Sequence, residues 1–496
     1  MGTCHARMGD LLSSGKVNIL SSLDCCITFT NQEISVGTPK SDVDPSNTVS
    51  CIKRLLGRRY TDPHLQQLLP SLPFHVTPKE NKPQVNVIHQ GALQSIPPEV
   101  LTSLLLFKLK QIASQHHRAE VRNVLVTVPT HFTDSQRQAT RDAGQIIGLN
   151  VKLISETTAA CIAYAVDHME PRERYILLFG LGGGHLSVSV VLLDEGIVEV
   201  RGVAGDVDLG GLEFTERLVH YLRGKMREEG NWNWDIQEDG QVLWKLRRSC
   251  ERAKRMLSKQ ETVSVSIEGS DNRSRSTIIT RSTFEELNLD LLKRCIENVK
   301  SALAAAGINK SQVEDIVLLG GSTKIPLVRD LLTNFFNGKE LYIPSSDLTT
   351  RGVAIQSAIL SGRKNQTLDN IIYLDVTPFS IGIETAGGVT HTLIPCNSTI
   401  PIKKFRDIST YSDNEPGVLI PVFEGENVYT KDNNLIGKFE LSGIPPMPRG
   451  KVVLEVTFDV DLSGILSVTA LEKVCSKPAR IQVTTDKGLS PSHIQR

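Results

Sequence analysis

The sequence lacks the features that would place it on a membrane or on nucleic acid. Its 496 residues carry 55 Lys plus Arg and 55 Asp plus Glu, so there is no basic excess to neutralise phosphate backbones. No run approaches the roughly 20 apolar residues that a membrane-spanning helix needs. No apolar stretch follows a basic start, so no secretory signal is indicated. We therefore expect no nucleic-acid or membrane partner, and a cytoplasmic protein.

Paired cysteines at metal-binding spacing are missing as well. The nine cysteines are an odd number and are scattered, without a CxxC pair, so a structural zinc site is not expected. This usage predicts reduced thiols. Hydrophobic residues make up 40% and charged residues 22%, which is typical of a soluble globular protein. The length suggests about three domain-equivalents.

Three regions differ in texture. Residues 1–368 mix strand-like runs with amphipathic helices, which predicts an α/β architecture. Residues 369–375, "DNIIYLD", form a short apolar connector; because exposed linkers are usually polar, we expect it to dock. Residues 376–496 show short runs with frequent Gly, Pro, Asn and Asp, which predicts an all-β sandwich.

Local patterns predict individual elements. Val452 to Asp461 alternates apolar and polar residues, and Ser463-Gly464 turns the chain into a second alternating run, which indicates a β-hairpin. "TYSDNEPGVLIPVFEGE" repeats this design, with Asn414 to Gly417 as the turn. A helix in "LNLDLLKRCIENVKSALAAAG" is expected to end at Gly307. Residues 2–20 and 179–200 both read as glycine turn, strand, turn, strand, which suggests a duplicated nucleotide-binding core.

Two glycine segments are candidates for phosphate binding. Gly182-Gly183-Gly184 lies between the strand-like runs "YILLF" and "SVSVV", and Gly320-Gly321-Ser322 follows "DIVLL" and precedes a helix. Successive glycine N–H groups can cup phosphate oxygens, and a helix N-terminus favours anions. The alternative for each segment is a plain tight turn.

A third candidate is the charged stripe in "CERAKRMLS". Glu251, Lys254, Arg255 and Ser258 recur at helical spacing and share one face. The alternative is a solvated, salt-bridged helix face.

Several segments together resemble the 70-kilodalton heat-shock chaperones. They are "HFTDSQRQATRDAG", "GLGGGH", "AGDVDLGG", "CERAKRMLS", "DIVLLGGSTKIP", "LDVTPFSIGIETAGGV" and "KDNNLIGKFELSGIPPMPRG". Their order and spacing match that family over nearly the whole chain. The resemblance implies a two-lobed, actin-like ATPase domain, a short linker and a β-sandwich that clamps extended peptide.

The resemblance also implies roles for single residues. Lys53 matches the lysine that positions the attacking water and the γ-phosphate, and Glu156 matches a carboxylate near the metal. ATP or ADP is the implied ligand, with these contacts: Gly2, Thr3, Gly182, Gly183 and Gly184 for phosphate; Glu251, Lys254, Arg255, Ser258, Gly320, Gly321, Ser322 and Lys324 for adenosine. The implied peptide channel comprises Ile383, Thr385, Ala386, Val389, Ile408, Ser409, Tyr411, Val418, Ile420 and Ile465. Some of these could instead be plain sandwich core.

The departures from the family cluster where hydrolysis happens. The family has aspartate, threonine and aspartate where this chain has Gly180, His185 and Ser187. Mg²⁺ prefers oxygen ligands, so these changes argue against Mg²⁺ and predict very slow or absent hydrolysis. The chain begins inside the first phosphate loop, with Cys4 in place of a threonine, and ends where the helical lid would begin. We therefore expect the preceding strand and the lid to be missing.

Three functions remain open at this stage. The chain is a peptide-binding chaperone with a weak or lost ATP cycle, a working ATP-driven chaperone, or a pseudoenzyme scaffold that binds co-chaperones. Unfolded polypeptides are the implied clients, with J-domain co-chaperones and nucleotide-exchange factors as further partners. Pro129, Arg137 and Lys152 match the region that meets J-domains and senses the linker.

Overall fold

The computed structural model describes residues 5–11, 17–37, 43–228, 240–268, 274–344, 347–362, 371–385, 387–444, 446–472 and 480–485. Gly2, Thr3, Cys4 and Ala386 lie outside the described residues, as do connector residues 369 and 370.

The α-helices that the structure describes fall in the first three-quarters of the chain, where the sequence pattern predicted them. They are α1 (Ile52–Leu55), α2 (Pro63–Leu68), α3 (Pro98–His117), α4 (Asp134–Ile146), α5 (Glu156–Asp167), α6 (Gly211–Glu228), α7 (Gly240–Leu257), α8 (Arg281–Leu287), α9 (Leu289–Ala306), α10 (Pro326–Phe335) and α11 (Leu348–Leu360). The predicted stop of α9 is confirmed, because Gly307 follows in the left-handed conformation with φ 67°.

The strands run through the whole chain. They are β1 (His5–Leu11), β2 (Val17–Asp24), β3 (Cys26–Phe29), β4 (Ile34–Val36), β5 (Thr48–Ser50), β6 (His75–Lys79), β7 (Lys82–His89), β8 (Ala92–Ile96), β9 (Asn123–Val128), β10 (Asn150–Ser155), β11 (Arg174–Leu181), β12 (Leu186–Asp194), β13 (Ile197–Asp206), β14 (Thr262–Glu268), β15 (Ser274–Thr280), β16 (Val313–Leu319), β17 (Leu341–Tyr342), β18 (Ile372–Val376), β19 (Ile381–Thr385), β20 (Val389–Ile394), β21 (Thr399–Ile400), β22 (Ile402–Ser409), β23 (Gly417–Glu424), β24 (Asn434–Ser442), β25 (Val453–Val460), β26 (Leu466–Glu472) and β27 (Arg480–Thr485).

A seven-stranded sheet, in the order β17-β16-β11-β12-β13-β18-β21, organises the α/β part. Its strand β11 is apolar almost throughout because both faces of the sheet are covered. Leu177 and Phe179 face a core that includes residues of α6, α7 and α9. Ile176 and Leu178 point the other way, into a core with α5 and α11. The glycine loop after β11 is thereby fixed at the end of a rigid strand.

Smaller sheets complete this part. The three-stranded sheets β4-β3-β5 and β6-β7-β8 share a core with α1, α2 and α3. The two-stranded sheets are β1-β2, β9-β10 and β14-β15. The two similar segments that suggested a duplicated core contain two antiparallel hairpins, β1-β2 and β12-β13. The glycine turn that precedes the first hairpin lies outside the described residues.

The apolar connector does dock. Ile371 is buried, and β18 pairs in parallel with β13, placing Ile372 beside Ile197 and Leu374 beside Glu199. The segment thus adds a strand to the seven-stranded sheet, so its backbone hydrogen bonds are made with the α/β part.

The β-sandwich has eight strands in the order β20-β19-β23-β24-β27-β26-β25-β22. The predicted hairpin over Val452 to Asp461 is confirmed, because β25 and β26 pair antiparallel around the Ser463-Gly464 turn. The prediction of a second hairpin was wrong. β22 and β23 flank the turn at Asn414 to Gly417, but β22 pairs with β25 whereas β23 pairs with β19 and β24. Alternation fixes which face of a strand is buried and leaves its neighbour undetermined.

Among the described helices, none is long and apolar enough to cross a bilayer. Cys26, Cys161, Cys250, Cys295 and Cys396 are free thiols.

Candidate nucleotide site and its contact with the β-sandwich

The loop Gly182–Gly184 connects β11 to β12 and holds two other segments. The Gly182 carbonyl accepts hydrogen bonds from the Gly211 N–H, 3.0 Å away, and from the Ser322 hydroxyl, 2.7 Å away. The structure therefore brings both glycine segments of the sequence to one place, beside the start of α6. No described residue accepts a hydrogen bond from the N–H of the other two loop glycines, so both donors can serve an anion.

Gly320 is required by this close approach. Its φ is +85°, and a Cβ there would lie 2.4 Å from the Leu181 carbonyl oxygen. A side chain would therefore push the turn away from the loop. The neighbouring Gly321 has open space, with nothing within 4 Å of a Cβ.

Half of the charged stripe on α7 is buried, so the interpretation as a solvated face was wrong for Glu251 and Lys254, whereas Arg255 is exposed. The Lys254 ammonium donates to Glu251 at 2.7 Å, to the Gly211 carbonyl at 2.5 Å and to the Thr215 hydroxyl at 2.9 Å. Arg255 donates to the other Glu251 oxygen at 2.9 Å. Burial acts to raise the pKa of Glu251, but the charge and hydrogen bond of Lys254, together with the Thr215 hydrogen bond, hold the pKa below its ordinary value.

The two proposed sides of the adenosine pocket meet across Gly211. A Cβ at Gly211 would lie 2.9 Å from both the Lys254 ammonium and the Ser322 hydroxyl. Ser258 follows α7, and its hydroxyl donates to the Lys254 carbonyl at 3.4 Å. Lys324, at the end of the 3₁₀ turn Gly321–Lys324, is exposed.

The phosphate side of the site centres on Glu156, the first residue of α5. One carboxylate oxygen accepts a hydrogen bond from Lys53 at 3.0 Å, and the other is 2.8 Å from Nε2 of His185. Burial alone would raise the pKa of Glu156, but the two neighbours hold it well below the usual range. Lys53 and Glu156, predicted to act together, are thus in direct contact, and His185 joins them.

The described residues do not fit a divalent cation here. Mg²⁺ requires several oxygen ligands, whereas both Glu156 oxygens are already engaged by nitrogen donors. Gly180 offers no side chain, and Ser187 is buried with its hydroxyl accepting the Thr130 N–H at 3.4 Å. In the part of the chain that the structure describes, no group of three or more His, Cys, Asp or Glu side chains could hold a metal ion.

A cluster of charged side chains next to Lys53 was not predicted from the sequence. Arg54, next to Lys53, donates to Glu213 at 2.5 Å and to Asp208 at 2.6 Å, and His64 also pairs with Asp208. Burial opposes ionisation of Asp208, but His64 and Arg54 lower its pKa to about 2. The four residues line a cavity of about 580 Å³. The acidic "DVD" in "AGDVDLGG" is the sequence feature that could have indicated this cluster.

The peptide-channel candidates split by burial. Ile383, Val418 and Ile420 lie in the sandwich core. Thr385, Val389 and Ile408 are half-buried, whereas Ser409 and Tyr411 are exposed. The two outermost strands, β20 and β22, approach each other, because Arg406 lies 2.9 Å from Nε2 of His391. The half-buried candidates Val389 and Ile408 therefore lie on two strands that meet at this contact.

The structure separates Ile465 from the other peptide candidates. This side chain is buried against Phe132, Leu149, Val151 and Leu153 of the α/β part. Ile465 follows the β25-β26 turn, and that turn docks on α4 rather than facing β20 and β22.

The same turn forms the contact between the sandwich and the α/β part. The buried guanidinium of Arg137 donates to the Thr130, Phe132 and Ser463 carbonyls at 3.1, 3.3 and 3.1 Å. Asp134 accepts the Leu466 N–H at 2.7 Å. Arg137, which was predicted to lie in a linker-sensing region, therefore contacts the β25-β26 turn of the sandwich.

These features define a class of protein: an α/β unit with converging glycine turns, joined by a docked strand to a β-sandwich. Comparisons with known proteins are consistent with this class. A model of the Hsp70 protein family matches residues 21–496. Heat shock 70 kDa protein 2 of Paracoccidioides lutzii is 46% identical over 95% of this chain and 73% of that protein. Heat shock cognate 70 kDa protein 3 of Dictyostelium discoideum is 44% identical over 98% of this chain and 80% of that protein.

The chain therefore belongs to the 70-kilodalton heat-shock protein family, as its sequence motifs predicted. Members of this family generally have an actin-like ATPase domain with a β-sandwich, bind ATP or ADP with Mg²⁺, and bind unfolded polypeptides and co-chaperones.

Proposed function

We propose that this protein is a cytoplasmic chaperone that holds extended hydrophobic segments of unfolded proteins and hydrolyses ATP poorly or not at all. Residues 1–368 would be the two-lobed ATPase domain, 369–375 the connector and 376–496 the peptide-binding sandwich. The observation that carries the proposal is the engagement of both Glu156 oxygens by Lys53 and His185.

Impaired hydrolysis follows from the chemistry of phosphoryl transfer. That reaction depends on positioning and on charge stabilisation, to which bound Mg²⁺ contributes in related sites. Here Lys53 is paired with Glu156, and Gly180 offers no oxygen ligand. Losing one such group typically lowers a rate by about 10²- to 10⁴-fold.

Nucleotide binding is supported by different residues. The Gly182–Gly184 loop, the Gly320 turn and the Glu251–Lys254 pair converge around Gly211. We assign the loop to phosphate and the other two groups, with Ser322, to adenosine.

Peptide holding is supported by the two outer strands of the sandwich. Extended peptides bind through backbone hydrogen bonds at strand edges and through apolar pockets for alternate side chains. β20 and β22 approach at His391 and Arg406, and Val389 and Ile408 lie on these strands. J-domain co-chaperones and nucleotide-exchange factors are proposed partners through the α/β part.

The test is equilibrium binding of a fluorescent hydrophobic peptide to the full chain. We expect saturable binding that Ile408→Asp weakens by about tenfold or more, because a charge would enter a half-buried apolar site. The matched control is Ile278→Asp, whose side chain is 66% exposed on β15. Binding that Ile408→Asp leaves unchanged would overturn the channel assignment. Absence of binding by a folded protein would instead favour a co-chaperone scaffold.

A further inference from the structure

The corner formed by Lys53, Glu156 and His185 is assembled from three separate elements. Lys53 comes from α1, Glu156 begins α5, and His185 directly follows the glycine loop. The exposed fractions of these side chains are 35%, 24% and 15%, so they lie at the surface of the site rather than in the core.

Glu156 holds both nitrogen-bearing side chains beside the loop. A cation approaching this carboxylate would have to displace donors at 3.0 and 2.8 Å. An anion would instead meet the nitrogen donors of Lys53 and His185 and the N–H groups of Gly183 and Gly184. Lys53 and Glu156 offset each other's charge, so the hydrogen-bond donors rather than a net positive charge favour an anion here.

The residues that differ from the family pattern also favour an anion over a cation. Relative to the family pattern, Gly180 and Ser187 each remove a carboxylate, and His185 replaces a hydroxyl with a ring that offers nitrogen donors. Together they make the corner more positive by about two charges, which is the charge that a divalent cation would carry.

We infer that this site binds its nucleoside polyphosphate as the metal-free anion, with Lys53, His185 and the Gly183 and Gly184 N–H groups taking the place of Mg²⁺. The inference rests on the proposed nucleotide binding at this site. It concerns binding alone and includes no hydrolytic step.

The experiment is calorimetric titration of the full chain with ATP, once in excess Mg²⁺ and once in excess chelator. We expect an apparent dissociation constant at least about tenfold lower in chelator, because excess Mg²⁺ in solution competes with the site for the free anion. His185→Thr and His185→Gln are each expected to weaken binding by about tenfold in both buffers, the loss typical of one charge-assisted hydrogen bond. His75→Gln, at an exposed position of β6, is the matched control and should bind like the unmodified chain. Thermal melting checks that each variant folds.

The outcomes are distinguishable. Binding that needs Mg²⁺ and disappears in chelator would overturn the metal-free inference and leave the proposed nucleotide binding intact. Unchanged affinity in both His185 variants would overturn the assignment of His185. Absence of binding in both buffers would overturn this inference and the nucleotide part of the proposed function together.

Discussion

The phosphate corner and the sandwich contact each centre on one charged side chain, and the two use that charge differently. Arg137 donates to three backbone carbonyls, of which Ser463 belongs to the sandwich and Thr130 and Phe132 to the α/β part. Glu156 is engaged by side chains, Lys53 and His185. The first arrangement joins two parts of the molecule through atoms that every residue type carries. The second depends on side-chain identity.

The largest effect is expected from breaking the sandwich contact. Arg137→Ala would leave three buried carbonyls without their donor, and we expect a loss of about 3 kcal/mol in unfolding free energy. The urea midpoint measures it. The β18 strand should also become accessible to protease, because the turn at Ser463 would lose its anchor.

The matched control is Arg141→Ala on the same helix. Arg141 makes one ion pair with Asp461 at 3.1 Å, and both side chains are partly exposed. It should cost less than about 1 kcal/mol. Equal effects of the two substitutions would contradict the special role of Arg137.

A smaller effect is expected on the nucleotide side. Gly320→Ala places a methyl group 2.4 Å from the Leu181 carbonyl in a backbone conformation that favours glycine. We expect about 2 kcal/mol of strain, seen as a lower melting temperature and at least tenfold weaker ATP binding. Gly321→Ala, which places its methyl group in open space, should leave the melting temperature unchanged. A fully stable Gly320→Ala protein with normal affinity would show that the two glycine segments do not need their close approach.

The smallest effect is a pH dependence of stability, which arises from the cluster of Arg54, His64, Asp208 and Glu213. The hydrogen bond with Asp208 raises the pKa of His64, against a smaller opposing effect of burial. The resulting stability is complete below the unfolded-state pKa of about 6.5 and is lost as pH rises through the raised folded-state pKa. Because the His64 side chain is 55% exposed, we expect only a few tenths of a kcal/mol.

Melting of the unmodified chain and of His64→Gln at pH 6 and pH 9 measures this effect. The stability difference should be present at the lower pH and vanish at the higher one. A difference that grows with pH would contradict the assigned partner.

Local periodicity was enough to predict the elements that frame the site. β11 is a continuous apolar run, β25 alternates, and α9 ends at a left-handed glycine, so each carries its own signal. The two glycine segments were also visible, but their contact through Gly182 and Ser322 joins residues 140 positions apart. Nothing local encodes that approach.

Which strand or surface each segment contacts could not be predicted from the sequence. The turn before β23 looked like a hairpin, yet its strands pair elsewhere. Ile465 matched a peptide-channel position, but the Arg137 contact draws its turn onto the α/β part. The cluster of Arg54, Asp208 and Glu213 spans more than 150 positions, so only the folded geometry reveals it.

The most direct test of the central claim is single-turnover hydrolysis of ATP with excess Mg²⁺. We expect phosphate release about 10²-fold or more below that of a family member that keeps both aspartates and the threonine. The same low rate should be found for Lys53→Met, which reports any contaminating activity. A rate above that of Lys53→Met and within tenfold of the intact family member would contradict the account.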